Sequence, residues 1–184
     1  MTLPDLIRDV VGHLDAAGVP YMITGSVASS YHGEPRATRD LDVVIEADRP
    51  SLSGLVERLR SGGLYVDIPA ALDALTVQGQ FNAIDASTGW KVDFIIRRDR
   101  AFSREEFARR MRADLLGTAA FVATPEDTII AKLEWAMTSG SARQLADVSA
   151  LLDVGRETLD LEYIDRWADS LAVGDAWRAV RDAG

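Results

Sequence analysis

Cysteine is absent from the 184 residues. That excludes a disulfide scaffold, a thiolate metal site and a cysteine nucleophile, and it fits a reducing, cytoplasmic setting. Histidine is scarce. His13 and His32 stand far apart, and two isolated histidines make no zinc signature; both read as structural or solvated. No apolar stretch approaches the roughly 20 residues that a membrane-spanning helix needs. The stretch from Met1 to Gly18 mixes acids with its apolar residues and does not read as a signal peptide. Internal repeats and low-complexity tracts are lacking. So is a surplus of basic charge: the formal net charge is −9, which argues against a broad, nonspecific grip on nucleic-acid phosphates.

What is present suits one domain, or one catalytic unit with a small helical extension. Apolar residues make up 47% of the chain, enough for a buried core. One stretch runs against the overall acidity, with Arg97, Arg98, Arg100, Arg104, Arg109, Arg110 and Arg112 falling within sixteen residues. It reads either as a solvated loop and helix face balanced by Asp99, Glu105 and Glu106, or as a docking patch for an anionic substrate.

Periodicity predicts a helix over 3–17, with Leu3, Ile7, Val10, Val11 and Leu14 on one face and Gly18 ending it. A short buried strand over 21–24 leads through Gly25-Ser26 into a small helix over 27–31. A loop over 33–38 precedes a strand over 40–47. Asp48 caps a helix over 49–61, and 69–77 reads as another. Residues 81–86 and 90–96 predict a hairpin around Ser87-Thr88-Gly89. Ser103 is expected to cap a helix reaching Arg112, and 115–123 to form one last strand. From Thr124, with Pro125 behind it, the chain reads as helix over 125–138, 141–153, 161–170 and 174–182. The expected fold is therefore α+β, a mixed sheet of about five strands flanked by helices. A soft boundary separates a core over 1–123 from a helical extension over 124–184 that packs on it. Trp135, Trp167 and Trp177 are expected in the core of that extension.

Asp40-Leu41-Asp42 places two carboxylates on one face of a strand, because residues two apart point the same way. Two such charges repel unless a cation neutralises them, and hard divalent cations bind carboxylates beside substrate phosphates. Gly25-Ser26 sits at a strand-to-helix turn. There glycine lets the backbone approach a ligand, and the helix start offers free N–H groups to phosphate. Over 90–96, alternation puts Lys91, Asp93 and Ile95 on one face and Trp90, Val92 and Phe94 on the other. An aspartate within such an apolar strand is costly to bury without compensation. Each motif taken singly is weak; their order and facing carry the case.

That order, from strand and Gly25-Ser26 through helix and Asp40-Leu41-Asp42 to a later Asp93 strand, resembles the DNA polymerase β-like nucleotidyltransferase superfamily over about residues 20 to 96. The stretch from Tyr21 to Asp42 also looks like small bacterial nucleotidyltransferases that include the abortive-infection (AbiEii-like) toxin group. More loosely, residues 124–153 look like that group's helical part, with Lys132, Arg143 and Asp147 as the corresponding charged residues.

The resemblance implies a mixed nucleotidyltransferase fold and a metal-dependent transfer. Asp40 and Asp42 would hold Mg²⁺, with Mn²⁺ as the alternative, against an NTP, ATP first among them. Asp93 would join as a metal ligand and help deprotonate an acceptor hydroxyl. Gly25 and Ser26 would take the outer phosphates. Arg36 and Arg39 flank the acidic strand and would touch phosphate or pair with Glu34, and Lys132 would add a phosphate contact. The acceptor stays open between tRNA or another RNA end, a protein and a small molecule such as an aminoglycoside. The competing reading is a nucleotide-binding module with little chemistry, one half of a toxin–antitoxin pair with its cognate partner. No membrane association is expected.

Overall fold

The computed structural model describes residues 1–183. Among them are nine helices and seven strands, the last four helices in succession. Helix α1 (Leu3–Ala17) begins at Thr2, whose hydroxyl accepts from the Asp5 N–H while the Asp5 carboxylate accepts from the Thr2 N–H. Gly18 ends it in the left-handed conformation, φ 63°. Helices α3 (Arg49–Ser61) and α4 (Ile68–Val77) start on capping carboxylates of Asp48 and Asp67. These three helices bury apolar stripes such as Leu6, Val10 and Leu14 of α1 and Leu52, Leu55 and Leu59 of α3.

The sheet they cover has the order β3 (Tyr65–Val66), β4 (Gln80–Ile84), β5 (Lys91–Ile96), β2 (Asp40–Ile45), β1 (Tyr21–Thr24), β7 (Thr118–Val122) and β6 (Met111–Leu115). The pairs β2–β5 and β1–β7 are parallel, and the remaining neighbours are antiparallel. Alternation gives the central strands two characters. Leu41, Val43 and Ile45 of β2 and Val92, Phe94 and Ile96 of β5 pack into the core under α1, α3 and α4. Asp40, Asp42, Lys91 and Asp93 project from the opposite face. There α2 (Gly25–His32) and α5 (Ala101–Arg109) leave part of the sheet uncovered.

A second buried cluster joins Phe102 of α5 to α6 (Pro125–Ser139), α7 (Ala142–Gly155), α8 (Leu161–Ser170) and α9 (Gly174–Ala183). Helices α6 and α7 also pack on α2. A polar network ties the cluster to α5. Asp127 accepts hydrogen bonds from Tyr163 Oη at 2.6 Å, Thr124 Oγ1 at 2.7 Å and Arg109 Nε at 3.2 Å. The Arg109 guanidinium lies 3.9 Å from the centre of the Tyr163 ring.

The α+β fold appears as expected, with seven strands rather than about five. Tyr65–Val66 is too short for periodicity to register, yet it pairs with Ala83 and Ile84. The single strand expected over 115–123 is a hairpin. Leu116 and Gly117 turn at φ 54° and φ 89°, and the Asp114 carboxylate accepts from the Gly117 N–H at 2.7 Å. The partner strand β6 takes residues that were expected to continue α5. Ser103 caps nothing. It lies buried in the first turn of α5, and its hydroxyl accepts from Arg100 Nε at 3.0 Å. Trp177 is fully buried, but Trp135 is 56% exposed and faces a cavity instead of the core. The strand over 40–47 stops at Ile45.

Phe94 is fully buried at the centre of the sheet, stacked on Phe81 at 5.1 Å between ring centres. Phe94→Ala is expected to cost roughly 3–5 kcal/mol in urea unfolding. A loss below about 1 kcal/mol would contradict the core placed here.

Candidate active site

Parallel pairing of β2 with β5 sets the register that matters. Asp40 lies opposite Lys91, and Asp42 opposite Asp93. On the other side Asp42 faces Thr24, the last residue of β1. The chain then turns at Gly25 into α2. Gly25 has φ 63°, and a Cβ there would lie 2.0 Å from Asp42 Oδ2. Both the backbone conformation and the approach of the carboxylate therefore demand glycine. The turn brings the Ser26 N–H, at the start of α2, close enough to the Asp42 carboxylate to favour its charge.

Burial pushes the Asp42 carboxyl up to about 6, with the neighbouring Asp93 and then Asp40 adding to the rise. The Ser26 N–H and the Lys132 charge oppose it. Asp93 is buried, and its two oxygens differ. Oδ2 receives Lys91 Nζ at 2.8 Å, whereas Oδ1 is buried without any hydrogen-bond partner. Lys91 Nζ also lies 3.6 Å from Asp40 Oδ1.

A second line of charge reaches the site from the helices. Lys132 of α6 is only 4% exposed; its ammonium donates to Asp147 Oδ2 at 2.6 Å and to Gln144 Oε1 at 3.1 Å. Burial draws its pKa down from the ordinary lysine value, while Asp147 resists. Asp147 also receives Arg36 at 3.1 Å, and the same Arg36 nitrogen donates to Ser26 Oγ at 2.6 Å. Helices α6 and α7 are thereby linked to the turn at Gly25-Ser26.

These groups, Asp147 apart, line a cavity of about 940 Å³. Its wall also carries Arg98, Trp135, the paired Arg100 and Glu134, and Glu106. Burial, and after it the nearby Asp127 charge, pushes the Glu106 carboxyl up to about 8.

No family model matches the sequence, and no curated protein sequence does so. Solved structures do match. The solution structure of the antibiotic-resistance factor ANT(2'')-Ia superposes with a TM-score of 0.61 at 16% identity, over 97% of this chain and 92% of that one. The crystal structure of ANT(2'')-Ia in complex with adenylyl-2''-tobramycin gives 0.60 at 14% identity, over 91% and 95%. The lincosamide antibiotic adenylyltransferase LnuA, lincomycin-bound, gives 0.56 at 12% identity, over 84% and 98%. The chain has the nucleotidyltransferase fold.

Within this nucleotidyltransferase fold, Gly25, Ser26, Arg39, Asp40, Asp42, Asp93 and Lys132 all line the same cavity. Arg143 lines it too, and Asp147 stands behind Lys132. Among the described residues, however, no three Asp, Glu, His or Cys side chains are assembled as a metal-ligand set. Asp42 and Asp93 form a pair, while Asp40, the most exposed of the three, has the Lys91 ammonium beside it. The donor chemistry still fits a hard divalent cation. The buried Asp93 Oδ1 lacks a partner, and the charge crowding at Asp42 calls for a positive neighbour.

Arg36 pairs with Asp147, not with Glu34, because α7 brings that aspartate across from the far end of the chain. The arginine run is no continuous patch. Arg97 pairs with Glu46, Arg100 with Glu134, Arg104 with Asp99, and Arg109 with Glu126 and Asp127. Sequence reasoning assigned no role to Lys91 beyond its facing, nor to Gln144. The one signal at Lys91 was its spacing of two from Asp93. His32 is structural, donating from Nε2 to the Ala123 carbonyl at 2.7 Å.

Folding raises the Asp42 pKa from an ordinary value near 3.8 to about 6, so the folded state holds that proton more tightly. The group favours folding most below its unfolded pKa and progressively less as pH rises through the folded one. Metal-free wild type is therefore expected to gain about 1–2 kcal/mol relative to Asp42→Asn between pH 8 and pH 5. Parallel denaturation curves for the two proteins would refute this assignment of the charge crowding.

Proposed function

We propose that the chain transfers a nucleoside monophosphate from an NTP, ATP first, to a hydroxyl of a small molecule and releases pyrophosphate. The single observation that carries this reading is the Asp42–Asp93 pair, with the unpartnered Asp93 Oδ1, beside the N-terminus of α2. The cavity supports it. At about 940 Å³ it lies at the upper end for small-ligand sites, with room for a nucleotide and a small acceptor side by side. The likeness to a structure holding an adenylylated antibiotic and to one holding lincomycin favours a small acceptor. The net charge of −9 favours a cationic acceptor over RNA.

Asp40, Asp42 and Asp93 would hold a divalent cation, Mg²⁺ or Mn²⁺, which when bound supplies charge neutralisation at the phosphates. Backbone N–H groups after Gly25 face the outer phosphates, and α2 adds its positive end. Arg36 orients the Ser26 hydroxyl, while Arg39 and Lys132 bring further positive charge to the same cavity. Asp93 would take the acceptor's proton on the oxygen that the cation leaves free. The acceptor oxygen bonds to the α-phosphorus, the bond from that phosphorus to the bridging oxygen breaks, and pyrophosphate leaves with the electron pair. In this division of labour residues 1–123 supply the carboxylates and the phosphate turn. Helices α6 and α7 supply Lys132 and line the cavity from the other side.

Incubation with Mg²⁺, each α-labelled NTP and separate pools of aminoglycosides, lincosamides, total RNA and cell protein tests the proposal. Label is expected in a small-molecule pool, and Asp40→Ala/Asp42→Ala is expected to lower it by about 100-fold or more. Label in RNA or protein instead would overturn the small-molecule acceptor. Neither a labelled acceptor nor pyrophosphate in any pool sinks it.

A further inference from the structure

On the open face of the sheet, four charged side chains form two facing pairs, Asp40 with Lys91 and Asp42 with Asp93. Three are acids and one is a base. The base is placed where it relieves two of the acids, since Lys91 Nζ sits 2.8 Å from Asp93 and 3.6 Å from Asp40. Without it, three carboxylates would crowd one face of two adjacent strands, and at Asp42 the offsets are the Ser26 N–H and the Lys132 charge.

Resting on the metal-site reading above, we propose that Lys91 is a built-in counter-cation. Its ammonium stabilises the metal-free protein by holding carboxylates that a divalent cation needs, and cation binding requires it to leave.

Lysine suits such a part. Its charge is a compact point on a flexible stem, so it satisfies two carboxylates at once and can also swing out. The side chain is 34% exposed, so water can receive the ammonium when it is displaced, whereas Lys132 is enclosed. Lys91 engages only Oδ2 of Asp93 and leaves Oδ1 bare, so an arriving cation has a first oxygen before the lysine moves.

The test needs no turnover. Mn²⁺ binding is measured by calorimetry without nucleotide, and melting is followed in EDTA at one fixed pH, for wild type, Lys91→Met and Lys91→Arg. Removing one like charge beside the cation is expected to tighten Mn²⁺ binding about tenfold in Lys91→Met. The same variant should melt about 2–4 °C lower in EDTA. Lys91→Arg, which keeps the charge, should follow wild type in both. Equal or weaker Mn²⁺ binding by Lys91→Met overturns the proposal, and so does unchanged melting in EDTA. Wild type and variant both failing to bind Mn²⁺ overturns the metal-site reading itself, and the EDTA melting then reports Lys91 as a purely structural ion pair. If Lys91→Met does not fold in EDTA but folds with Mn²⁺, the proposal is supported. If it folds in neither, Lys91→Gln takes its place with the same expected outcomes.

Discussion

Asp42 and Asp93 are register partners in the parallel ladder between β2 and β5, and neither can retreat from the other without breaking the centre of the sheet. Much of the surrounding architecture answers that constraint. Gly25 lacks a side chain where Asp42 needs room, and the turn it makes aims the Ser26 N–H at the same carboxylate. Lys91 reaches back two residues to one oxygen of Asp93. What stays uncompensated is one buried oxygen and a carboxyl with its pKa lifted to about 6. Stability alone does not call for this crowding, since an apolar residue in place of one acid would remove its cost.

The helical half is organised around polar burial of a different kind. Asp127 is fully buried, yet it receives hydrogen bonds from Tyr163, Thr124 and Arg109. A satisfied network of this sort rigidifies the elements it joins, here α5, α6 and α8. The consequence for the site is mechanical. Lys132 lies further along α6, and the network fixes the angle at which that helix delivers its ammonium to Asp147 and Arg36. The two polar centres thus divide the work. One holds the helices rigidly, and the other keeps charge unresolved at the cavity.

The elements were legible where local chemistry decides them. Caps at Asp48 and Thr124 and the left-handed glycine at 18 mark helix ends from four or five residues of context, whereas the capping box of Thr2 and Asp5 emerges only in the structure. The misreadings have a common cause. The two-residue β3 exists only because β4 lies beside it. The hairpin of β6 and β7 turns on Leu116, a residue without turn propensity, held by an Asp114 side-chain bond. Ser103 has the chemistry of a cap, but Arg100 supplies a partner that draws it into the buried first turn. Trp135 looks like core by composition, and only the placement of α6 beside the cavity exposes it.

The carboxylate spacing, the glycine at the turn and the alternation along β5 follow from residue order, since strand geometry alone puts residues two apart on one face. That β2 and β5 are neighbours, parallel and in a register that sets Asp42 against Asp93, is a long-range fact about the sheet. The same holds for the Arg36–Asp147–Lys132 chain, whose members are separated by up to 111 positions. It holds as well for the arginine run, which looks like one patch in sequence and is dispersed by its acidic partners in space. Local periodicity chooses the face on which a charge appears. Only packing chooses which charge stands opposite it, because Coulomb energy depends on a distance that the chain's order does not contain.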